Sequence, residues 1–417
     1  MSQRLDKNLV LTILAQFNLY LAYIIYKRKL MAYYIQANMK YLVPKVGWSP
    51  RCIPEAFHEQ FGPQEFKKFY RMTFSTFELL IELLKENYLE YNGNVRIQSL
   101  FSWKCGIYIR FLARSECLGS LKHTFGCCAE TIRASIHGFK SLILYSMSNS
   151  LKIDINDEDS LRQSSEAIKG LTDGLLDGFA FIIDGTHIPI IKIPSSTPKQ
   201  CFVNRKGGKS INCQVVINAA LKVVAFECGY PGSTNDSQML NSSGFLSTLK
   251  DIHAIYNGRY ACLADNGYPT REYMMTPYTA AEILSNPDTE NDKVQFNAIF
   301  SSVRQAIERV FGILQPKWYL LAIGCEYKIE DYLQFVQTIM MLHNFMIDNE
   351  SSYKLTIMNE SWTLGGTPAT VMEAILHLNE IRNDPDFILE SPHVELVLGE
   401  QKRDILRRNL PLVRQIN

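Results

Sequence analysis

Ten cysteines are spread over 417 residues without a CxxC pair and without Cys/His spacing of a zinc module, so no zinc site is written into the chain. No cleavable signal sequence is evident, and the expectation is reduced cysteines in an intracellular protein. Internal repeats and low-complexity tracts are lacking. The one basic glycine turn, residues 204–210 (NRKGGKS), lacks the glycine spacing of a phosphate-binding P-loop. Charge excess is missing too: 43 basic residues against 42 acidic ones leave a net charge of +1, which neither supports nor excludes a nucleic-acid partner.

What is present is enough apolar material for a sizeable core. At 47% hydrophobic and 20% charged residues, the chain can build one large domain with a smaller second one. Residues 9–26 are rich in Leu, Ile and Tyr and precede Lys27-Arg28-Lys29. By length they border on a membrane span, yet they contain Gln16 and Asn18. A helix packed on the body, or a misplaced start, is preferred over an anchor.

Four carboxylates stand in specific local settings. Residues 181–190 (FIIDGTHIPI) read as a buried strand ending on Asp184, then a second short extended run. Residues 229–236 (GYPGSTND) form a turn-rich stretch after the apolar strand 223–226 and end on Asp236 at a helix start. Residues 260–269 repeat the first design, an apolar strand closing on Asp265 and a glycine turn. Residues 296–314 carry apolar side chains at helical spacing, with Glu308 interrupting the pattern. Taken singly, Asp184 and Asp265 read as turn acids and Glu308 as a solvated partner of Arg304 or Arg309. Acids gathered together need a cation to offset their repulsion, which points to Mg2+ or Mn2+.

The blocks IIDGTHIPI, NRKGGKSINCQVVINA, GYPGSTNDSQML, LADNGYP, FNAIFSSVRQAIERVFGILQPKW and MLHNFMIDN, in this order, resemble the endonuclease domain of PIF/Harbinger transposases and their domesticated nuclease relatives, over about residues 178–349. The resemblance implies an α/β fold: an RNase H-like mixed sheet flanked by helices, with an N-terminal all-helical, helix-turn-helix-like domain. It implies metal-binding acids at Asp184, Asp236, Asp265 and Glu308, with Asp184, Asp265 and Glu308 as the catalytic set. Asp236 is open between ligand and helix cap. The implied activity is that of a divalent-metal-dependent DNA endonuclease or transposase, hydrolysing phosphodiesters and joining strands. The alternative is a domesticated relative that binds DNA or protein without cutting. Implied partners are DNA, a separate Myb-like DNA-binding protein and a second copy of the chain; the implied location is the nucleus, with the cytoplasm also open, and a membrane is not expected.

Arg205, Lys206 and Lys209 in the basic turn, with Arg304 and Arg309 beside Glu308, are candidate DNA contacts; a solvated hairpin tip is the plain alternative for the turn. His187 is read as a strand-end hydrogen-bonding residue and the block 342–345 as packing. Five segments are expected: 1–60, helical and of unclear role; 61–147, helix-turn-helix-like; 148–170, an acidic linker; 171–349, the nuclease domain; and 350–417, a helical tail with helices at 369–382 and 401–414. Within 61–147, a Ser75/Glu78 capping box is expected. Residues 118–139 resemble a helix-turn-helix that would put Thr131, Arg133 and Lys140 near DNA; an ordinary bundle is the equal alternative, since Cys128 replaces the usual cap.

Overall fold

The computed structural model describes residues 50–92, 100–193, 198–361 and 394–408. The apolar segment 9–26, the helix expected at 369–382 and the end of the one expected at 401–414 lie outside them. Among the described residues, no helix is long and apolar enough to cross a membrane.

Five strands form one mixed sheet: β1 (Phe179–Pro189), β2 (Ser210–Ile217), β3 (Val223–Pro231), β4 (Ala261–Leu263) and β5 (Met274–Met275). Their spatial order is β3-β2-β1-β4-β5. The first three pair antiparallel, whereas β4 runs parallel to β1 and β5 parallel to β4. This is the RNase H-like arrangement expected from the sequence, with β5 added at the edge. Between β3 and β4 the chain crosses over through α7 (Asp236–Ser242) and α8 (Gly244–Ile255), as a parallel return requires.

The alternation of side chains along β1 sets up two cores. Phe179, Ile182 and Ile188 join a cluster with Val303 and Ile307 of α10 (Glu290–Lys317) and Phe335 and Ile339 of α12 (Ile329–Asn349). Phe181 and Ile183 face the other way, onto Leu240 of α7 and Phe245, Leu249 and Ile252 of α8. Helices therefore cover both faces of the sheet, which explains why β2 (SINCQVVI) is buried along its whole length.

The first cluster continues without a break into the N-terminal helices α1 (Pro54–Tyr70), α2 (Phe74–Asn92), α3 (Phe101–Arg114), α4 (Leu118–Phe125) and α5 (Ala129–Ser146). In α3, ten residues are buried, from Phe101 to Ala113, and Tyr108 shares a 2.6 Å hydrogen bond with Thr338 of α12. The described residues from Arg51 onward form one compact unit. The acidic stretch read as a linker closes into α6 (Glu158–Leu171), capped by Asp157. Its Ser164 hydroxyl donates to Ala180 and accepts from the Ala219 N–H, so its polar residues are joined to the sheet.

Three local expectations change. Thr73 rather than Ser75 caps α2, accepting from the Thr76 N–H, because helix starts one residue after it. Lys140 is not a DNA contact: it is 6% exposed and holds Asp331 at 2.5 Å. The extended run does not break after Asp184, since β2 pairs with β1 as far as Pro189.

The block 342–345 does pack. His343 bonds Tyr353 and the Leu221 carbonyl, while Asn344 accepts from the Val223 N–H and donates to the carbonyls of Val223 and Ser150. These bonds fix where β3 starts. At the opposite edge, α14 (Val394–Arg408) covers β5: Arg403 bonds the Pro277 carbonyl and Glu282, and Arg407 holds Asp292 at 3.0 Å. Basic residues of the tail thus anchor it to the segments that flank the buried edge strand β5. Replacing Asn344 by Ala leaves three buried backbone groups without this partner; a loss of about 3 kcal/mol in urea unfolding is expected, and a loss below about 0.5 kcal/mol would contradict this role.

Candidate active site

Parallel pairing brings the first two acids together. Ile182 of β1 aligns with Leu263 of β4, and Asp184 and Asp265 each lie two residues further on. Asp265 lies just past the end of β4, near enough for its charge to act on Asp184. β4 ends at Leu263 while β1 continues, so Asp184 has a strand neighbour on one side and open space for side chains on the other. Asp184 shares the face of Ile182, the face covered by α10.

Glu308 reaches the same space from α10. Val303, Ile307, Val310 and Leu314 bury one stripe of this helix, leaving Arg304 and Glu308, one turn apart, at its border with the sheet end. Arg304 joins the set: one guanidinium nitrogen lies 3.0 Å from Asp184 Oδ2, and another bonds Glu308. Asp184 Oδ1 accepts from the Gly185 N–H at 2.9 Å, and Asp265 Oδ1 from the Gly267 N–H at 2.9 Å.

Asp236 arrives from the other face. Gly185 points away from Asp184, and a Cβ placed on it would lie 2.4 Å from Asp236 Oδ1; one on Gly267 would lie 2.7 Å from Asp236 Oδ2 and 3.0 Å from Asp265 Oδ1. Only glycine leaves room for the Asp236 carboxylate in this corner. Asp236 is not the helix cap, because Asn235 accepts from the Gln238 N–H in that role. Asp265 therefore links two groups: Asp184, Glu308 and Arg304 on the α10 face, and Asp236 with His187 on the α7 face.

Electrostatics follow from this crowding. Burial pushes the Asp184 carboxyl up to about 7; Arg304 opposes the shift, while Asp265 and Glu308 reinforce it. Burial also raises Asp236, with Asp265 adding to it and Arg205 and His187 opposing. His187 is lowered, mainly by burial. Its Nδ1 lies 3.2 Å from the Ser210 hydroxyl, which accepts from Asn204.

The basic turn stands beside this corner. Asn204 Oδ1 accepts from the N–H groups of Lys206 and Gly208, which fixes the turn, and Arg205, Lys206 and Lys209 are exposed on it. Arg205 is near enough to influence both Asp236 and His187. Arg304, by contrast, lies inside the acid set, and Arg309 bonds Gln305.

Three residues were not singled out from the sequence. Asn212, Gln214 and Tyr268 are 3%, 2% and 4% exposed. Asn212 donates to the Thr234 carbonyl and bonds Asp236, and the Gln214 amide donates to the Tyr268 hydroxyl. Two polar residues at alternate positions in an otherwise apolar strand were the available signal. Asn212 Oδ1 and Gln214 Oε1 are buried without a hydrogen-bond partner.

Converging carboxylates, orphaned amide oxygens and two missing Cβ atoms suit a hard, oxygen-seeking cation. As arranged, no group of three or more His, Cys, Asp or Glu is poised to hold an ion among the described residues. Arg304 stands between Asp184 and Glu308, and Asp236 is on the far side of β1.

Comparison with known proteins places the same segment. Residues 183–344 match the DDE superfamily endonuclease family. The chain is 23% identical to Protein ALP1-like of Arabidopsis thaliana, over 69% of this chain and 72% of that protein. It is 26% identical to Putative nuclease HARBI1 of Homo sapiens, over 46% of this chain and 52% of that protein, so it spans about half the length of the vertebrate relative. A chain from a pre-cleavage Mos1 transpososome aligns with 62% of this chain and 79% of its own at 12% identity, with a TM-score of 0.18, too low to equate the folds. The family match thus falls on the segment that carries the four acids.

The raised Asp184 gives a pH signature. Its carboxyl titrates near 4 when unfolded and near 7 when folded, so its contribution to stability is complete below about pH 4 and is lost as pH rises through about 7. Asp184→Asn lacks this loss. In EDTA, the melting temperature of wild type minus that of the variant should fall from pH 5 to pH 8; a flat difference would contradict the buried setting.

Proposed function

We propose that this chain, with its DDE superfamily endonuclease segment, is a divalent-metal-dependent DNA endonuclease of PIF/Harbinger type that hydrolyses phosphodiesters. The carrying observation is the meeting of Asp184, Asp265 and Glu308 at one end of an RNase H-like sheet. Asp184, Asp265 and Glu308, with Asp236 across the strand, would hold Mg2+ or Mn2+, and Asn212 and Gln214 offer neutral oxygens nearby. When bound, the ion supplies Lewis-acid polarisation of the phosphate and lowers the pKa of a water.

The chain's own residues do the rest. Asp184 is held by strand pairing, and Asp184 and Asp265 accept from the Gly185 and Gly267 amides, so little reorganisation is left for the reaction. Glu308 keeps nearly half its side chain exposed and faces arriving substrate. Arg205, Lys206 and Lys209 on the basic turn supply phosphate contacts that track a backbone past the acids. Strand joining, a Myb-like partner, assembly with a second copy and a nuclear location complete this reading.

A specific observation favours a second reading. Arg304 already neutralises Asp184 and Glu308, as suits a domesticated protein that binds DNA or a protein partner without cutting. Mn2+-dependent nicking of supercoiled plasmid decides between them. Wild type should nick, and Asp184→Asn, Asp265→Asn, Glu308→Gln and Gly185→Ala should each lose at least about a hundredfold in rate while remaining folded by circular dichroism. Plasmid retention without nicking by wild type would support the second reading; full activity in Asp265→Asn would overturn the site.

A further inference from the structure

We propose that Arg304 is a built-in counter-cation of this site, one that holds the acids together before metal arrives and must leave them for a divalent ion to enter. The inference rests on the metal-dependent reading above and adds a residue that sets metal affinity.

The geometry is specific. Arg304 and Glu308 are one turn apart on α10, so their side chains share a face. The guanidinium is planar and presents several donors in a fixed fork. It uses one nitrogen on Asp184 Oδ2, at 3.0 Å, and another on Glu308. Asp184 Oδ1 is taken by the Gly185 N–H, so both oxygens of the central acid are engaged. Arg304 and Asp184 are 17% and 14% exposed in their side chains. In this partly dry setting a second cation between the same carboxylates would meet a repulsive charge at short range.

Helix α10 cannot withdraw to relieve that conflict, because Val303, Ala306 and Ile307 around Arg304 are buried in the main core. The side chain has a way out: Glu308 is 48% exposed, so the guanidinium can turn past it toward solvent. There it meets the side from which DNA phosphates would come. Arg304 thus changes partners, from carboxylate to phosphate, when metal and substrate load.

Two roles for Arg304 make opposite forecasts. As a counter-cation it competes with metal, so its removal tightens binding. As a positioner that holds Glu308 ready for the ion, its removal weakens binding.

Mn2+ titration followed by electron paramagnetic resonance separates them, using the full chain as wild type, Arg304→Gln, Arg304→Lys and Asp184→Asn without DNA. Arg304→Gln should bind Mn2+ about tenfold tighter than wild type. Arg304→Lys keeps a charge and should stay within about threefold of wild type. Melting in EDTA should show Arg304→Gln less stable than wild type, with Mn2+ raising its melting temperature by more. Equal or weaker Mn2+ binding by folded Arg304→Gln would overturn the counter-cation role while leaving the metal reading intact. Should Arg304→Gln fail to fold, Arg304→Met takes its place in the same titration: tighter Mn2+ binding than wild type is expected, and equal or weaker binding would overturn the counter-cation role. Absence of Asp184-dependent Mn2+ binding from wild type and both Arg304 variants would overturn the metal reading, and the proposal with it.

Discussion

Repulsion among carboxylates is the constraint around which this molecule is arranged. Asp184 stands on β1 and Asp265 just past the end of the parallel strand β4, and Glu308 approaches them from α10. Burial first, and then the charges of Asp265 and Glu308, raise Asp184 to about 7. Arg304 relieves the repulsion from one face. On the other face Asp236 is accommodated only because Gly185 and Gly267 have no side chains. The fold keeps these groups close in spite of their charges by burying the apolar residues on either side of them, Ile182 and Ile183 on β1 and Val303 and Ile307 on α10.

The sheet and the N-terminal helices form one structural body for the same reason. Both faces of the sheet are apolar, and a face that is not covered cannot hold a strand end rigidly. Tyr108, Thr338, His343 and Asn344 carry this support from α3 and α12 to the start of β3. The acidic stretch before β1 contributes through Ser164, which bridges two buried backbone positions.

Much of this was legible in the sequence because it rests on period and punctuation. Alternating or continuous apolar runs marked β1, β3 and β4, and the 3.6-residue stripe marked α10. Asp184, Asp265 and Glu308 were visible because they end or interrupt such runs, and Asp236 because it closes a turn-rich stretch at a helix start. Less legible was everything set by register and by facing. Nothing in the string says that Gly185 turns toward Asp236 while Asp184 turns toward Arg304, since that follows from strand alternation once both partners are placed. Asp157, Glu158 and Asp159 read as linker residues, yet acids are also what the first turn of a helix favours. Lys140 reads as a surface cation, and only tertiary packing supplies Asp331. Asn212 and Gln214 were hidden in a strand whose apolar residues dominate its pattern.

The acid corner is proposed as a metal site whose internal cation gives way. Anomalous diffraction from crystals grown with Mn2+ tests it most directly. The account predicts a peak bounded by Asp184, Asp265 and Glu308, with the Arg304 guanidinium turned away from Asp184. A corner without a peak, or one in which Arg304 still bridges Asp184 and Glu308 while Mn2+ binds elsewhere, would contradict it.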